Sequence, residues 1–467
     1  MQQQQPSPSG NSLWGLGRAA TASSPQWLWG FERSLRLDLL AAGTCLPAAR
    51  EDLRGRSALI LVGDQLAAAI ALLELDGIAK RIVLCPPDFS ERHLASTVAA
   101  ADIDLIVGDA STADADYGQV EKIAMSGEPL AVPGLDRSGV EPTEWVLLTS
   151  GTTGPPKLVA HSLRSLTGAI AARPASSTPA VWSTFYDIRR YGGLQIFLRS
   201  ILGGTSMVLS SPAETAGAFL ARAGAHGVTH MSGTPSHWRR ALMAGVPAAF
   251  APGYVRLSGE VADQTILDRL REQFPAASIA HAFASTEAGV AFEVGDGQAG
   301  FPERLVDADG PVTLAVRDGS LRIRSGRTAS RYLGAGAPVL RGADGFVDTG
   351  DSVELRDGRY YFAGRRDGVI NIGGLKVHPE EVEAVINRHP AVRMCRVKGR
   401  SNAITGAIVT ADVLADFGGP RASAPDAEHL KKELVDLCKS SLARHKIPAV
   451  LRFVDRLELS NSGKVER

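Results

Sequence analysis

Trp145-Val-Leu-Leu-Thr149-Ser-Gly-Thr-Thr-Gly-Pro-Pro-Lys157 decides how the chain is read. Its first four residues are apolar and read as a buried strand. The composition then turns abruptly to hydroxyls, glycines and one cation. Gly151 and Gly154 open backbone conformations closed to other residues, so several N–H groups can converge on one anion. Ser150, Thr152 and Thr153 add hydroxyl donors, and Lys157 adds a positive charge. The stretch is suited to holding phosphate, although on local grounds a plain Gly/Ser surface turn fits it as well. The P-loop pattern of nucleoside triphosphatases does not fit. It needs Gly-Lys-Ser/Thr in sequence, whereas Lys157 follows Pro156 and precedes Leu158.

Working outward, 467 residues exceed one typical core, so two or three domains are expected. An apolar share of 44% with 21% charged residues is that of an ordinary soluble globular chain. Lys+Arg and Asp+Glu balance at 50 each, which argues against nucleic acid or an acidic membrane as partner. Cys45, Cys85, Cys395 and Cys438 form no CxxC pair and read as reduced thiols of a cytoplasmic protein. No apolar run reaches the length of a membrane span. The start is Gln-, Pro- and Ser-rich without the pattern of a signal peptide, and residues 1–25 read as a disordered tail.

Trp27, Trp29 and Phe31 open a segment read as helix. Stretches 58–62, 81–85 and 104–107 read as buried strands separated by helical stretches, the signature of a parallel sheet covered on both faces. The alternation resumes after the loop, with helices at 163–172, 192–201 and 215–225 and strands at 206–209, 254–257 and 278–281. Beyond about residue 300, Asp318-Gly319 and Asp357-Gly358 between short apolar runs signal antiparallel hairpins. From Asp367 a small α+β unit begins, with a helix starting at Pro379 and a second at 428–442. The expected fold is α/β: a large N-terminal domain (26–366) of parallel α/β sheets plus a small β-barrel-like subdomain, then a small mobile α+β C-terminal domain (367–467).

Four further motifs are weak when taken singly. Phe283-Ala-Ser-Thr-Glu287 follows a strand, where a hydroxyl and a carboxylate can face a ligand, but it also reads as a helix cap. Asp348-Thr-Gly-Asp351 is by itself only a turn, Gly364-Arg-Arg-Asp-Gly368 a linker, and Asn461-Ser-Gly-Lys464 a solvated tail. Their order carries more. A Thr/Ser/Gly loop ending in Lys, an aromatic-x-x-Thr-Glu stretch, Thr-Gly-Asp, Gly-Arg-x-Asp, a Gly…Pro-x-Glu-Val-Glu run (374–383) and a terminal Ser-Gly-Lys follow one another. In this the chain resembles the adenylate-forming enzymes: acyl-CoA synthetases, luciferases and the adenylation domains of peptide synthetases.

The resemblance implies roles by position. Thr149, Ser150, Gly151, Thr152, Thr153, Gly154 and Lys157 match the loop ordering the β- and γ-phosphates of ATP. Thr286 matches the α-phosphate contact and Glu287 the Mg2+ ligand. Phe283 and Gly259-Glu260 match the adenine surroundings, and Asp351 the ribose ligand, supported by Arg365. Lys464 matches the lysine that reaches the reacting carboxylate and Asp367 the hinge of the C-terminal domain. Gly373 and Gly374 match the narrow path of a pantetheine thiol. The implied reaction is ATP-dependent formation of an acyl-AMP, then transfer to coenzyme A, the first-choice acceptor because no carrier domain follows in this chain. A separate phosphopantetheinyl carrier protein is the alternative, and an inactive AMP-binding homologue a third reading. Retention of Lys157, Glu287, Asp351 and Lys464 together argues against the last. Monomer and homodimer both stay open.

Three departures stand out. The part ahead of the loop is shorter than usual. Ala284 replaces the glycine before Thr-Glu, which shortens the acid pocket slightly. Phe185-Tyr186 is the nearest match to the aromatic-His pair that gates that pocket. The charges after it, Asp187, Arg189 and Arg190, read as a solvated turn. His230 and His281 are candidate pocket residues that fit the interior of strands equally well. The aromatic stretch from Trp182 to Phe197 favours an aryl or short-to-medium acid.

Overall fold

The computed structural model describes residues 12–19, 25–109, 120–133, 135–136, 141–149, 156–170, 180–372, 374–402, 406–417, 424–460 and 464. Seven strands form the first sheet, in spatial order Arg331–Leu333, Lys157–Ser162, Glu144–Thr149, Arg81–Leu84, Ser57–Leu61, Leu105–Gly108 and Glu121–Ala124. The last five are parallel, and the first two add antiparallel strands at one edge. Its central strands are continuous apolar runs because helices or a second sheet cover both faces. Helix Gln65–Leu75 is buried at every position and is capped by Asp64, whose side chain accepts from the Ala67 N–H.

The second sheet has eight strands in the order Gly289–Val294, Ser278–Ser285, Tyr254–Ser258, His230–Gly233, Val181–Thr184, Ser206–Leu209, Trp27–Trp29 and Ser34–Arg36. The six inner strands are parallel and the two edges antiparallel. Helices Ala216–Ala225, Pro235–Ala244 and Gln264–Gln273 bury their apolar stripes against Met231, Val255 and Leu257. On the other side, Trp182 and Met207 join helices Gln65–Leu75 and Tyr191–Leu202 and the first sheet in one continuous core.

Phe301–Pro302, Arg359–Arg365, Val347–Arg356, Ser320–Ser325 and Val312–Arg317 form the small antiparallel sheet. Both expected hairpin turns are present. Asp318 and Gly319 have φ of 53° and 71°, and Asp357 and Gly358 have 49° and 72°. Positive φ at both central residues is the type I′ geometry that Asp-Gly favours. The C-terminal domain is a three-stranded sheet of Val392–Asn402, Gly406–Ala415 and Val450–Phe453 with helices Pro379–Ile386 and Ala424–Ser441. It has its own core, including Val382, Ile386, Val397, Leu434 and Cys438. All four cysteines are free and buried. Among the described residues no helix is long and apolar enough to cross a membrane.

Two expectations for the N-terminal end do not hold. Trp27–Trp29 is a strand, parallel to Ser206–Leu209, and not a helix. Leu28 is fully buried between two half-buried tryptophans, a period of two that three residues of sequence were too short to reveal. Within the expected disordered tail, Leu13–Ala19 is helical and Leu13 is fully buried. Residues 1–11 and 20–24 lie outside the described residues.

The tail helix is held by Asp76. One carboxylate oxygen accepts from the Leu13 N–H at 2.6 Å, and the other from Trp145 Nε1 at 2.7 Å. Burial pushes the Asp76 pKa from 3.8 to about 6. A folded-state pKa above the unfolded one means that this carboxyl favours folding most below about pH 4 and loses that contribution as pH rises through about 6. Asp76→Asn has no such titration. Denaturant unfolding from pH 4.5 to 7.5 should therefore show the wild-type stability, measured relative to the variant, falling by roughly 2–3 kcal/mol. A flat difference would show that the carboxyl does not titrate in this range.

Candidate active site

The Thr/Ser/Gly stretch connects two antiparallel strands, Glu144–Thr149 and Lys157–Ser162. Thr149 and Lys157 are paired residues at its base, so the loop leaves and rejoins the sheet at one point. Ser150, Gly151, Thr152, Thr153 and Gly154 lie outside the described residues. The strand after the loop was not legible in the sequence, because Pro155-Pro156 immediately before it reads as a break. The Lys157 ammonium lies over the ring of Tyr332, 5.5 Å from its centroid. The hydroxyl of Tyr332 in turn donates to Glu287 Oε1 at 3.2 Å. Strand Arg331–Leu333, paired with Lys157–Ser162, thus links the loop lysine to the Thr-Glu motif.

That motif lies in the tight connection between Ser278–Ser285 and Gly289–Val294. Gly289 has φ of 78°, and a β-carbon there would come within 2.4 Å of the Arg327 carbonyl oxygen, so only glycine fits. His161 fixes the connection from the first sheet. Its Nε2 lies 2.7 Å from the Thr286 carbonyl oxygen and its Nδ1 3.0 Å from Ser165 Oγ. A carbonyl only accepts, so Nε2 carries the proton. Burial pulls the His161 pKa from 6.5 to about 4, and the ring is neutral at pH 7. Phe283 stacks on Phe362 at 5.2 Å and on Phe292 at 5.9 Å.

The far motifs meet at Gly259. This residue has φ of 85°, and a β-carbon on it would lie 3.7 Å from Lys464 Cε and 3.8 Å from the Tyr186 hydroxyl. Lys464 is held in place by Ser460, whose N–H donates to the Lys464 carbonyl at 2.8 Å. Lys464 as a residue is exposed, yet its ammonium is desolvated, and that lowers its pKa. Glu260 and Asp351 counter the shift, while Arg365 and Arg190 add to it. Burial raises the pKa of Asp351, against the opposing pull of Arg365, a hydrogen bond from Thr349 and Lys464. Asp351 and Arg365 are paired across the small sheet. The Arg365 guanidinium nonetheless hydrogen-bonds Asp367, at 2.9 and 3.2 Å, and reaches Asp351 only through its field. Glu260 accepts from the Ser236 N–H at 2.9 Å. Gly374 is exposed, with φ of 87° and, among the described residues, no other group within 4 Å of its β-carbon position, and Gly373 lies outside the described residues.

The expected pocket residues divide between the two faces of the second sheet. Tyr186 turns toward Gly259, its hydroxyl donating to the Ser258 carbonyl at 2.5 Å. Phe185 turns the other way, stacking on His237 at 5.2 Å and packing edge-on against Phe219 and Trp238. His281 shares a face with Leu257 and bonds the Gln298 carbonyl at 2.9 Å, so alternation along the strand turns it away from Ala284. His230 lies at the start of its strand, between Trp182 at 4.6 Å and Tyr254 at 5.5 Å. The solvated turn expected after Tyr186 is instead buried. Asp187 and Arg189 form a two-pronged ion pair at 2.8 and 2.7 Å, and Arg189 also bonds the Val62 carbonyl.

The sequence reading missed His161 and Tyr332. Neither carried a usable signal, since their roles depend on contacts with residues distant in sequence.

Chemically, the site gathers a hairpin loop with its lysine, one carboxylate (Glu287), a desolvated ammonium (Lys464) and two acids near it. Among the described residues no group of three His, Cys, Asp or Glu side chains is gathered for a metal. Glu287 fits a hard cation that takes its remaining ligands from phosphate oxygens and water.

Residues 63–333 match the family model described as AMP-binding enzyme, and residues 381–464 that of the AMP-binding enzyme C-terminal domain. The chain is 28% identical over 390 residues to N-(5-amino-5-carboxypentanoyl)-L-cysteinyl-D-valine synthase of Amycolatopsis lactamdurans, covering 75% of this chain and 10% of that protein. It thus spans about a tenth of that relative's length. It is 28% identical over 379 residues to 2-succinylbenzoate–CoA ligase of Geobacillus kaustophilus, covering 74% and 73% of the two. The structure of the anthranilate CoA ligase AuaEII in complex with anthranoyl-AMP shares the fold, with a TM-score of 0.75 at 16% identity over 97% and 95% of the two chains. With the first family model matching more than half of its residues, the chain belongs to the AMP-binding enzyme family.

Proposed function

We propose that the chain activates a carboxylic acid with ATP and passes the acyl group to the thiol of coenzyme A. The observation that carries this reading is the ammonium of Lys464, set beside Gly259 among Glu260, Asp351 and Arg365. In the first step the acid's carboxylate oxygen attacks the α-phosphorus of ATP, and pyrophosphate leaves. Charge builds on the carboxylate and α-phosphate oxygens, and a cation in a desolvated site stabilises it more than in water. Lys464 supplies that cation, and Thr286, held through its carbonyl by His161, contacts the same phosphate. Thr149 to Lys157 orders the outer phosphates. Phe283 and Gly259-Glu260 line the adenine, and Asp351 binds the ribose hydroxyls with Arg365 near it. Glu287, steadied by Tyr332, is the ligand for Mg2+, which neutralises phosphate charge when bound. Much of the catalysis is positioning.

In the second step the thiol attacks the acyl carbonyl, its proton is lost, and AMP departs. We assign residues 26–366 and 367–467 to two bodies joined at Asp367. Rotation there withdraws Lys464 and brings Gly373-Gly374 to the acyl-AMP. The exposed turn at Gly374 fits the first-step arrangement, in which Lys464 occupies the site. Carrier-bound pantetheine is the alternative acceptor, favoured by 28% identity over 371 residues to a probable non-canonical nonribosomal peptide synthetase of Salinispora arenicola.

Three measurements test the reading. Pyrophosphate release across aryl, short and long acids is expected to depend on the acid and to become multiple-turnover with coenzyme A. Release that only a carrier protein accelerates would move the acceptor to pantetheine on protein, and release with no acid would remove the proposal. Lys464→Ala should lower adenylation by on the order of 100-fold or more, yet leave transfer from preformed acyl-adenylate largely intact. Equal loss in both half-reactions would contradict the assigned role. Asp367→Pro, by stiffening the hinge, should spare the single-turnover pyrophosphate burst and block thioester formation. Normal thioester turnover by that variant would rule out the hinge.

A further inference from the structure

Strand Tyr254–Ser258 turns Val255 and Leu257 into the core under the helices and directs Tyr254, Arg256 and Ser258 to the opposite face. Arg256 is only 3% exposed. Its Nε donates to Glu293 Oε2 at 2.9 Å, and Nη1 lies 3.5 Å from Ser258 Oγ, too long for a strong bond. Nη2 is buried and has no partner among the described residues. On the neighbouring strand, Ser232 is the register partner of Arg256 and so shares its face. It is fully buried, and its hydroxyl is also without a partner among the described residues. On the other side the register partners of Arg256 and Ser258 are Ala280 and Ala282, whose methyl side chains add little bulk beside the guanidinium.

A buried polar atom left without a partner costs roughly 1–3 kcal/mol, and more when charged. Two on adjacent strands of one face could be satisfied together by one polar group. The pair lies close to the chemistry. Ser258 Oγ is 3.1 Å from the Tyr186 hydroxyl, which is 3.8 Å from the β-carbon position of Gly259, and that position is 3.7 Å from Lys464 Cε. Arg256 and Lys464 are thus joined by a short chain of contacts through Ser258, Tyr186 and Gly259. Charge favours an oxygen acceptor at Arg256. The single carboxylate of Glu293 already serves both Arg256 and the Tyr254 hydroxyl, and it feels a second guanidinium, that of Arg199.

We infer that the acid activated by this chain carries a second oxygen acceptor, a carboxylate or a hydroxyl, at the end away from the reacting carboxylate, and that Arg256 and Ser232 bind it. The inference rests on the acid-activating function proposed above. A site built to hydrogen-bond a substrate group discriminates strongly against the analogue lacking it, because the protein's own polar groups are then left unpaired.

The test is acid-dependent exchange of pyrophosphate into ATP by the full chain, with matched acids: benzoate against 4-hydroxybenzoate and terephthalate, and hexanoate against 6-hydroxyhexanoate and adipate. The expected result is a kcat/KM advantage on the order of 100-fold for substituted acids over their parents, mostly in KM. The better of the hydroxyl and carboxylate arms identifies the acceptor. Arg256→Leu and Ser232→Ala should each shrink that ratio by at least about 10-fold. Ser232→Ala removes only a hydroxyl without a partner among the described residues, so an unchanged thermal midpoint separates recognition from folding should Arg256→Leu prove unstable. Parents activated as well as substituted acids, or a ratio untouched by Ser232→Ala and by any folded Arg256 variant, would overturn the inference and leave acid activation standing. Exchange with no acid at all would remove both.

Discussion

Drawing an ammonium out of bulk water disfavours its charge unless anions meet it, and the site depends on the charges that surround Lys464. Two arginines, Arg190 and Arg365, oppose the lysine, and Glu260 and Asp351 favour it. These four come from a helix cap, the end of a parallel strand and a hairpin of the small sheet. Holding the ammonium therefore requires the second sheet, the small sheet and the C-terminal domain to be in register at once. Bound phosphate adds anions at the same point, so nucleotide and C-terminal domain should reinforce one another's placement.

The same economy of shared groups holds on the other side of the site. His161 and Tyr332 both belong to the antiparallel edge of the first sheet, and both reach across to the Thr286-Glu287 connection of the second. Neither is charged at pH 7, so they fix the position of that connection without adding to the charge that phosphate meets. The low pKa of His161 follows from this placement, since a protonated ring there would be a buried cation.

Much of the architecture was legible because it rests on local rules. Asp-Gly pairs favour positive φ whatever surrounds them, and strand interiors such as 58–61 and 82–84 are apolar because they are covered on both faces. The order of short motifs placed the site for a similar reason, since each motif is a backbone shape as much as a set of side chains. What was illegible depended on which way a side chain turns. Phe185 and Tyr186 are adjacent and both aromatic, yet one packs into the core and the other faces Gly259. Asp187 and Arg189 looked like a wet turn because charge ordinarily means solvent. Their two-pronged pair and the Val62 carbonyl make burial tolerable, and no local pattern announces that. Leu13–Ala19 is ordered by one distant carboxylate, Asp76, which a Gln- and Ser-rich context hides.

The chain enters the second sheet at Trp27–Trp29, builds the first sheet from Ser57–Leu61 to Lys157–Ser162, and returns to complete the second. It then comes back to the edge of the first at Arg331–Leu333. The two sheets are therefore interleaved along the polypeptide. During synthesis the first sheet lacks its closing strand, and Lys157–Ser162 keeps an open edge, until about 170 further residues have been made. Folding of either sheet must wait on segments of the other, a long-range closure that slows folding. A cut between residues 162 and 289 would leave neither fragment with a complete first or second sheet, so these two layers cannot be separated there by dividing the chain.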